Sequence, residues 1–177
     1  MTLTDPDFKP SSAAPTTPDA DYESSMFLNA PAAEVFDALT TLSGLAGWWT
    51  SVSGSGLKGG QLTFVFDAAP VVMRVDEAER PATVRWTVLE SAPTPEWVGT
   101  TVNFELMPQV EGCDLSFRHR GLTPQLECYE DCKSGWDHFL PSLRQHVETG
   151  DGNPFWSAAD LERREARRLR RQSAAAE

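Results

Sequence analysis

His119 is the side chain in this sequence whose type and position best suit chemistry. It follows Leu115 and Phe117 at alternate positions, so a strand here would point its imidazole into the protein interior. An interior histidine would orient a ligand or exchange a proton near neutral pH, and the alternative is a hydrogen-bonded core histidine. An enzyme would use His119, assisted by Tyr129 or Arg74, to steer proton transfer. No acid–base pair is identifiable, so we assign no catalytic residue.

Two cysteines are the other group with suggestive spacing. Cys128 and Cys132 would place their thiols on adjacent turns of a helix, where they would recruit a soft metal together with His119. A fourth ligand is missing, and buried thiols explain the pair more simply. The sequence also lacks a Ser-His-Asp arrangement, a nucleophile elbow and the glycine-rich phosphate and dinucleotide motifs. We therefore expect no metal and no cofactor.

The elements that would position these residues begin with a sheet. From residue 61 to 120 the apolar residues alternate with polar ones, which is typical of half-buried antiparallel strands joined by short turns. The inward positions of five strands are Leu62, Phe64 and Phe66; Val71, Met73 and Val75; Val84, Trp86 and Val88; Val102, Phe104 and Leu106; and Leu115, Phe117 and His119.

Helical spacing flanks this sheet on both sides. A first strand over Tyr22 to Leu28 precedes two short helices, predicted over 32–39 and 42–47. A long helix follows the sheet, and its stripe consists of Tyr129, Cys132, Trp136, Phe139, Leu143 and Val147. The fold class is therefore α+β, with a curved antiparallel sheet wrapped around one long C-terminal helix and two short helices after the first strand. We expect the glycine-rich loop 51–60 to lie over the mouth of a cavity between sheet and helix.

Composition divides the chain into three parts. Residues 1–21 are rich in Pro, Ser, Thr and Ala and predict a disordered leader. Residues 22–155 form the folded domain. Residues 156–177 form a charged, Arg-rich tail, which we interpret as a solvated helix. The alternatives for the tail are contact with RNA, with an acidic partner or with the acidic body of this same chain.

Overall charge limits the partners of the chain. The formal net charge is −11, from 26 acidic and 15 basic residues, so the protein should repel nucleic acid and anionic membranes. No apolar stretch is long enough for membrane insertion, and the N-terminus lacks a signal-peptide pattern. Three cysteines at irregular spacing suit reduced thiols, so we expect a cytoplasmic location. No oligomeric state follows from these features.

Four segments carry a resemblance to a known family. They are NAPAAEVFDALT, LAGWWT, LSFRHRGL and SGWDHFLPSLRQHVETGDGNP, and their order and spacing resemble the START-like SRPBCC superfamily. The branch is similar to the C-terminal domain of the activator of Hsp90 ATPase. The resemblance spans about Tyr22 to Pro154 and implies a helix-grip fold with an internal hydrophobic cavity. Members of the superfamily range from lipid binders to polyketide aromatase/cyclases, so the resemblance implies no single reaction.

The cavity implied by this resemblance is the candidate site. Its predicted lining residues, for which a solid core is the alternative, are Trp49, Phe64, Phe66, Met73, Trp86, Phe104, Phe117, His119, Tyr129 and Trp136. The leading hypothesis is a non-enzymatic binder of an apolar or aromatic small molecule. The alternatives are a polyketide cyclase or dehydratase that uses His119, and a chaperone-associated interaction protein.

Overall fold

The computed structural model describes residues 20–176. The predicted leader therefore lies, except for its last two residues, outside the described residues. The strands are β1 Tyr22–Leu28, β2 Val52–Gly54, β3 Gln61–Phe66, β4 Ala69–Glu79, β5 Thr83–Ser91, β6 Thr101–Gln109 and β7 Gly112–Arg120. The helices are α1 Ala32–Thr40, α2 Leu42–Trp48, α3 Tyr129–Thr149 and α4 Ala158–Ala175, with a 3₁₀ turn at Pro95–Trp97.

All seven strands form one antiparallel sheet in the order β1-β7-β6-β5-β4-β3-β2. The alternation of the sequence fixes which face is buried: Leu115, Phe117 and His119 of β7 are at most 1% exposed, whereas the residues between them face solvent. β1 pairs with β7 along its whole length, from Tyr22 opposite His119 to Leu28 opposite Cys113. The α+β helix-grip prediction is confirmed.

Helix α3 covers the buried face of the sheet with the predicted apolar stripe. Trp136, Phe139 and Leu143 are each at most 5% exposed, and they pack into the same core as the inward strand residues. The helix begins where Glu96 accepts the backbone N–H groups of Glu127 and Cys128 at 3.1 and 2.9 Å. It ends at Gly150, whose φ of 90° is the left-handed conformation that commonly closes a helix.

The glycine-rich loop differs from its prediction. Residues Val52–Gly54 within it form the short edge strand β2, which pairs with β3 through Val52 opposite Phe64. No residue of 51–60 lines the pocket between the sheet and α3 that is described below, so the expectation that this loop covers the cavity mouth is wrong. The backbone of Gly59 and Gly60 instead bonds to Val75 of β4, which holds the loop against the sheet edge.

Ser142 joins three segments in the interior. Its hydroxyl donates to the carbonyl oxygen of Trp48 at 2.7 Å and accepts the backbone N–H of Asn153 at 2.7 Å. Close approach at this point requires Gly152, because a Cβ there would lie 2.5 Å from the carbonyl oxygen of Gly47. One buried hydroxyl thus ties the end of α2 and the chain after α3 to the middle of α3.

Helix α4 packs against the domain through ion pairs, whereas the sequence predicted a solvated helix for the tail. Ser157 caps its first turn, and the fully buried Asp160 pairs with Arg163 at 2.8 Å. Further along the helix, Arg164 pairs with Asp67 of the β3–β4 turn at 3.0 Å. The acidic body of the chain is therefore the partner of this basic helix. Within residues 20–176 no helix is both long and apolar enough to cross a bilayer.

Replacement of Ser142 by alanine tests the internal link. Ser142→Ala leaves the Trp48 carbonyl and the Asn153 N–H without their buried partner, so we expect the free energy of unfolding to fall by about 1–3 kcal/mol. Urea denaturation measures this loss. The control Ser116→Ala, on the exposed outer face of β7, should change the same quantity by less than about 0.5 kcal/mol. Equal losses in the two variants would contradict the assignment.

Candidate ligand pocket

A pocket of about 370 Å³ lies between one end of the sheet and helix α3. Five parts of the chain enclose it: the end of α2, the β3–β4 hairpin, the connection from β5 to β6, the first three turns of α3 and the segment before α4. The lining residues are Trp49, Phe66, Asp67, Ala69, Val71, Pro93, Thr94, Trp97, Asp131, Cys132, Gly135, Trp136, Phe139 and Phe155. Six of these carry aromatic rings, so the wall is mainly apolar.

Three tryptophans form one side of the pocket. The ring centroids of Trp97 and Trp136 lie 6.1 Å apart with planes only 3° from parallel. Trp136 is in turn 5.1 Å from Trp49, whose ring is nearly parallel to that of Trp86 at 6.0 Å. Stacked and tilted contacts of this kind hold large side chains in fixed orientations. The wall that they form is therefore rigid.

Trp97 reaches the pocket because the β5–β6 connection is longer than a hairpin turn. Pro95 starts the 3₁₀ turn, and Trp97 at its end donates its indole N–H to the Cys132 sulfur at 3.1 Å. The preceding Glu96 carboxylate holds the start of α3, and that bonding lowers the pKa of Glu96. We predicted only a tight turn here and missed Trp97. The signal available in the sequence was a tryptophan soon after Pro93 and Pro95, since so large an apolar side chain in a connection is expected to pack against the domain.

His119 is buried completely, and both of its ring nitrogens are occupied. Nδ1 accepts the indole N–H of Trp136 at 3.0 Å, and Nε2 lies 2.8 Å from the Thr100 hydroxyl. That hydroxyl donates its own hydrogen to the carbonyl oxygen of Trp97 at 2.6 Å, so it must accept from Nε2–H. The bonding pattern thus assigns the neutral imidazole with its proton on Nε2.

A protonated His119 would conflict with this arrangement. A second ring proton on Nδ1 would face the Trp136 N–H, which is a donor only. Desolvation also disfavours the charge, and it lowers the pKa of His119 to about 3. His119 does not line the pocket, and no nitrogen of its ring is left for a ligand. The geometry therefore supports a structural histidine and gives no support to acid–base catalysis by this residue.

The ten residues predicted to line a cavity divide into two groups. Trp49, Phe66 and Trp136 line the pocket. The others lie in the core around it: Phe64, Met73, Trp86, Phe104, Phe117 and His119 are at most 1% exposed, and Tyr129 is half-buried against the same cluster. A ligand-binding role for any of the ten stays a prediction. The two adjacent tryptophans Trp48 and Trp49 have different roles. Trp48 anchors α1 by donating its indole N–H to the Ala38 carbonyl oxygen at 2.9 Å, and Trp49 lines the pocket.

Of the two cysteines with helical spacing, Cys132 lines the pocket and Cys128 lies one turn before it. Burial raises the pKa of the Cys132 thiol, and burial together with neighbouring acidic groups raises that of Cys128. Both thiols are thus held in the protonated form, which is a poor metal ligand and nucleophile. Among residues 20–176, no group of three or more His, Cys, Asp or Glu side chains is placed to hold a metal ion.

The family model described as activator of Hsp90 ATPase homolog 1-like protein matches residues 29–148. The chain belongs to this family. The match covers both short helices, strands β2 to β7 and almost all of α3, and it confirms the SRPBCC resemblance of the sequence. No curated protein matches this chain significantly.

Solved structures agree with the family. The Aha1 dimer from Colwellia psychrerythraea, known from a solution structure, is 28% identical in sequence to this chain. The TM-score is 0.67, and the match covers 75% of this chain and 99% of that one. A protein from Mesorhizobium loti is 21% identical, with a TM-score of 0.66 and the same coverage. CalU16 from Micromonospora echinospora is 21% identical, with a TM-score of 0.61, over 81% of this chain and 83% of its own. The last two show a shared fold alone.

The buried neutral His119 gives a pH-dependence of stability. Its pKa in the folded protein is about 3, below the roughly 6.5 of an unfolded chain, so the unfolded state takes up the proton first on acidification. The resulting stability is complete above about pH 6.5 and is lost as the pH falls towards 3, at no more than about 1.4 kcal/mol per pH unit.

The variant His119→Asn, whose amide does not titrate, isolates this contribution. As the pH falls from about 6.5 to about 4.5, we expect the free energy of unfolding to decrease more steeply for the unaltered protein than for the variant, as measured by urea denaturation. The variant will be less stable at pH 7.5 because it loses buried hydrogen bonds, so the slopes are compared rather than the values. Parallel curves for the two proteins would contradict a buried neutral imidazole.

Proposed function

We propose that this protein binds a neutral apolar or aromatic small molecule in the pocket between α3 and the sheet. The volume of about 370 Å³ falls in the range of pockets for small ligands, and six of the fourteen lining residues are aromatic. The Thr94 hydroxyl on the wall offers a hydrogen bond to one polar group of such a ligand. The carboxylates of Asp67 and Asp131 at the rim are neutralised by arginines of α4 and do not favour a cationic ligand.

Gly135 is the observation that carries this proposal. It lies in the second turn of α3 and lines the pocket, and a Cβ built on it would meet no atom within 4 Å. Glycine in a helix interior costs about 1 kcal/mol relative to alanine, and nothing in the surrounding protein requires it here. An unfilled space kept open at a cost in helix stability is what a binding site for a ligand needs.

Binding rather than catalysis is the form of the proposal that the geometry supports. The hypothesis of a cyclase or dehydratase needs a titratable group in contact with the substrate, and His119 is closed off by Trp97 and Trp136. The carboxylates at the rim are held in ion pairs. The pocket therefore offers shape and apolar surface to its occupant, with no group poised for proton transfer.

The location of the protein is part of the same proposal. Cys113, Cys128 and Cys132 are all free, and two of them are buried. Free thiols persist in a reducing compartment, which supports the cytoplasm as the place where the ligand is bound.

Filling the space at Gly135 tests the proposed site. The neutral fluorophore N-phenyl-1-naphthylamine serves as the aromatic probe. We expect Gly135→Leu to weaken its binding at least about tenfold, because the new side chain occupies the pocket, and to raise the melting temperature, because leucine favours the helix. Gly135→Ala is the matched control, and it should keep the affinity of the parent protein within about threefold while it also stabilises α3. Unchanged probe binding by Gly135→Leu would place the probe elsewhere.

A second candidate function is interaction with a chaperone, which the family match favours. Phe27 of β1 and Met107 of β6 both stand opposite Asp114 of β7, so they share one row on the outer face, where they are 44% and 65% exposed. If this apolar row contacts Hsp90, capture of the protein by immobilised Hsp90 at low salt should fall when Phe27 and Met107 are both changed to serine. Failure of the unaltered protein to be captured eliminates this candidate.

A further inference from the structure

The C-terminal extension, residues 149–176, lies beyond the part of the chain that matches the family. The family match ends at residue 148, one residue before the end of α3. The extension consists of the last residue of α3, the segment 150–157, helix α4 and Ala176. Any contribution that it makes to the pocket thus comes from outside the matched part of the chain.

One wall of the pocket comes from this extension. Phe155 lines the pocket, and its backbone N–H donates to the carbonyl oxygen of Trp49 at 2.7 Å. Its ring packs edge-on against Phe66 with centroids 5.2 Å apart. Movement of the segment before α4 would therefore remove an aromatic ring from the pocket wall and open that side.

Arg164 of α4 holds this wall to the first rim of the pocket. Its guanidinium carbon lies 4.7 Å from the Phe155 ring centroid and 4.6 Å from that of Trp156. The same guanidinium bonds to the Asp67 carboxylate at 3.0 Å, and Asp67 also lines the pocket. One arginine thus contacts two lining residues from two different segments.

The next turns of α4 reach the opposite rim. Arg167 and Arg171, which are one turn apart on the same face of α4, both pair with the carboxylate of Asp131. Asp131 lies in the first turn of α3 and lines the pocket. Arg163 adds a hydrogen bond to the Ser134 hydroxyl at 3.3 Å. Helix α4 therefore bridges the β3–β4 turn and α3, the two sides of the pocket.

We propose that the C-terminal extension is a gate over the pocket, latched by arginine–aspartate pairs that break and re-form as ligand enters and leaves. This inference rests on the proposed binding function. The pairs are partly exposed, with 19% of the Arg167 side chain and 46% of the Asp131 side chain accessible, so each is a weak interaction that salt weakens further. The latch therefore opens at little cost, while the core under it is apolar and insensitive to ionic strength.

Two double variants of α4 distinguish a latch from a general effect of charge. Arg167→Gln with Arg171→Gln removes both pairs to Asp131. Arg168→Gln with Arg170→Gln removes the same charge from the same helix. Among residues 20–176, Arg168 pairs within α4, with Glu165, so the contact of α4 with α3 is kept. Both changes use a residue of similar helix propensity.

The measurement is the dissociation rate of N-phenyl-1-naphthylamine from the full chain, by stopped-flow fluorescence at low and high salt. We expect the Arg167/Arg171 variant to release the probe about threefold to tenfold faster than the parent protein at low salt, as loss of two exposed pairs predicts. The parent protein should approach this rate at high salt, whereas the variant should change little. The Arg168/Arg170 variant should match the parent protein within about twofold.

Three results would overturn the gate. Equal rates in all three proteins, with the probe still displaced by Gly135→Leu, would leave the pocket function intact and remove the latch. Equal acceleration in both double variants would show that total charge, and not the contact with Asp131, sets the rate. A probe that does not bind the parent protein would overturn the proposed function and the gate together.

Discussion

The hydrogen bond from the Trp136 indole to His119 is the interaction on which the rest of the structure depends. It joins α3 to strand β7 inside an apolar core, where an unpaired imidazole or indole nitrogen would be costly. Thr100 continues the chain of bonds to the backbone of Trp97, so helix, sheet and the β5–β6 connection are fixed to one another at one point. The rotation of α3 about its axis follows from this bond, and with it the direction in which Gly135 and Trp136 face.

The pocket is a consequence of that rotation. With Trp136 turned towards His119, the neighbouring Gly135 faces the end of the sheet, and its missing side chain leaves room there. Trp97 and Trp49 pack on either side of Trp136 and cannot collapse into the space, since both are held by their own contacts. The core therefore closes around the strands β5 to β7 and stays open beside β3 and β4.

Local patterns in the sequence predict the elements but not every residue of the site. Alternation placed Phe117 and His119 on the buried face, and the helical stripe placed Trp136 opposite them, because both patterns report which face of one element is buried. Trp97 and Phe155 reach the pocket from connections, where no periodicity exists, and only the assembled fold brings them to Trp136 and Phe66. The docking of α4 against the acidic body was only an alternative to a solvated helix, because a helix held by ion pairs looks in sequence like one that is fully solvated.

The arrangement of tryptophans gives the protein an optical property. Of its six tryptophans, Trp49, Trp97 and Trp136 line the pocket, Trp48 and Trp86 are buried near it, and Trp156 is 56% exposed just before α4. The indoles of Trp97 and Trp136 are nearly parallel at 6.1 Å, close enough for their electronic transitions to couple. The tryptophan emission and near-ultraviolet dichroism of the chain therefore report mainly on one small region, and any molecule that enters it acts on half of the tryptophans at once.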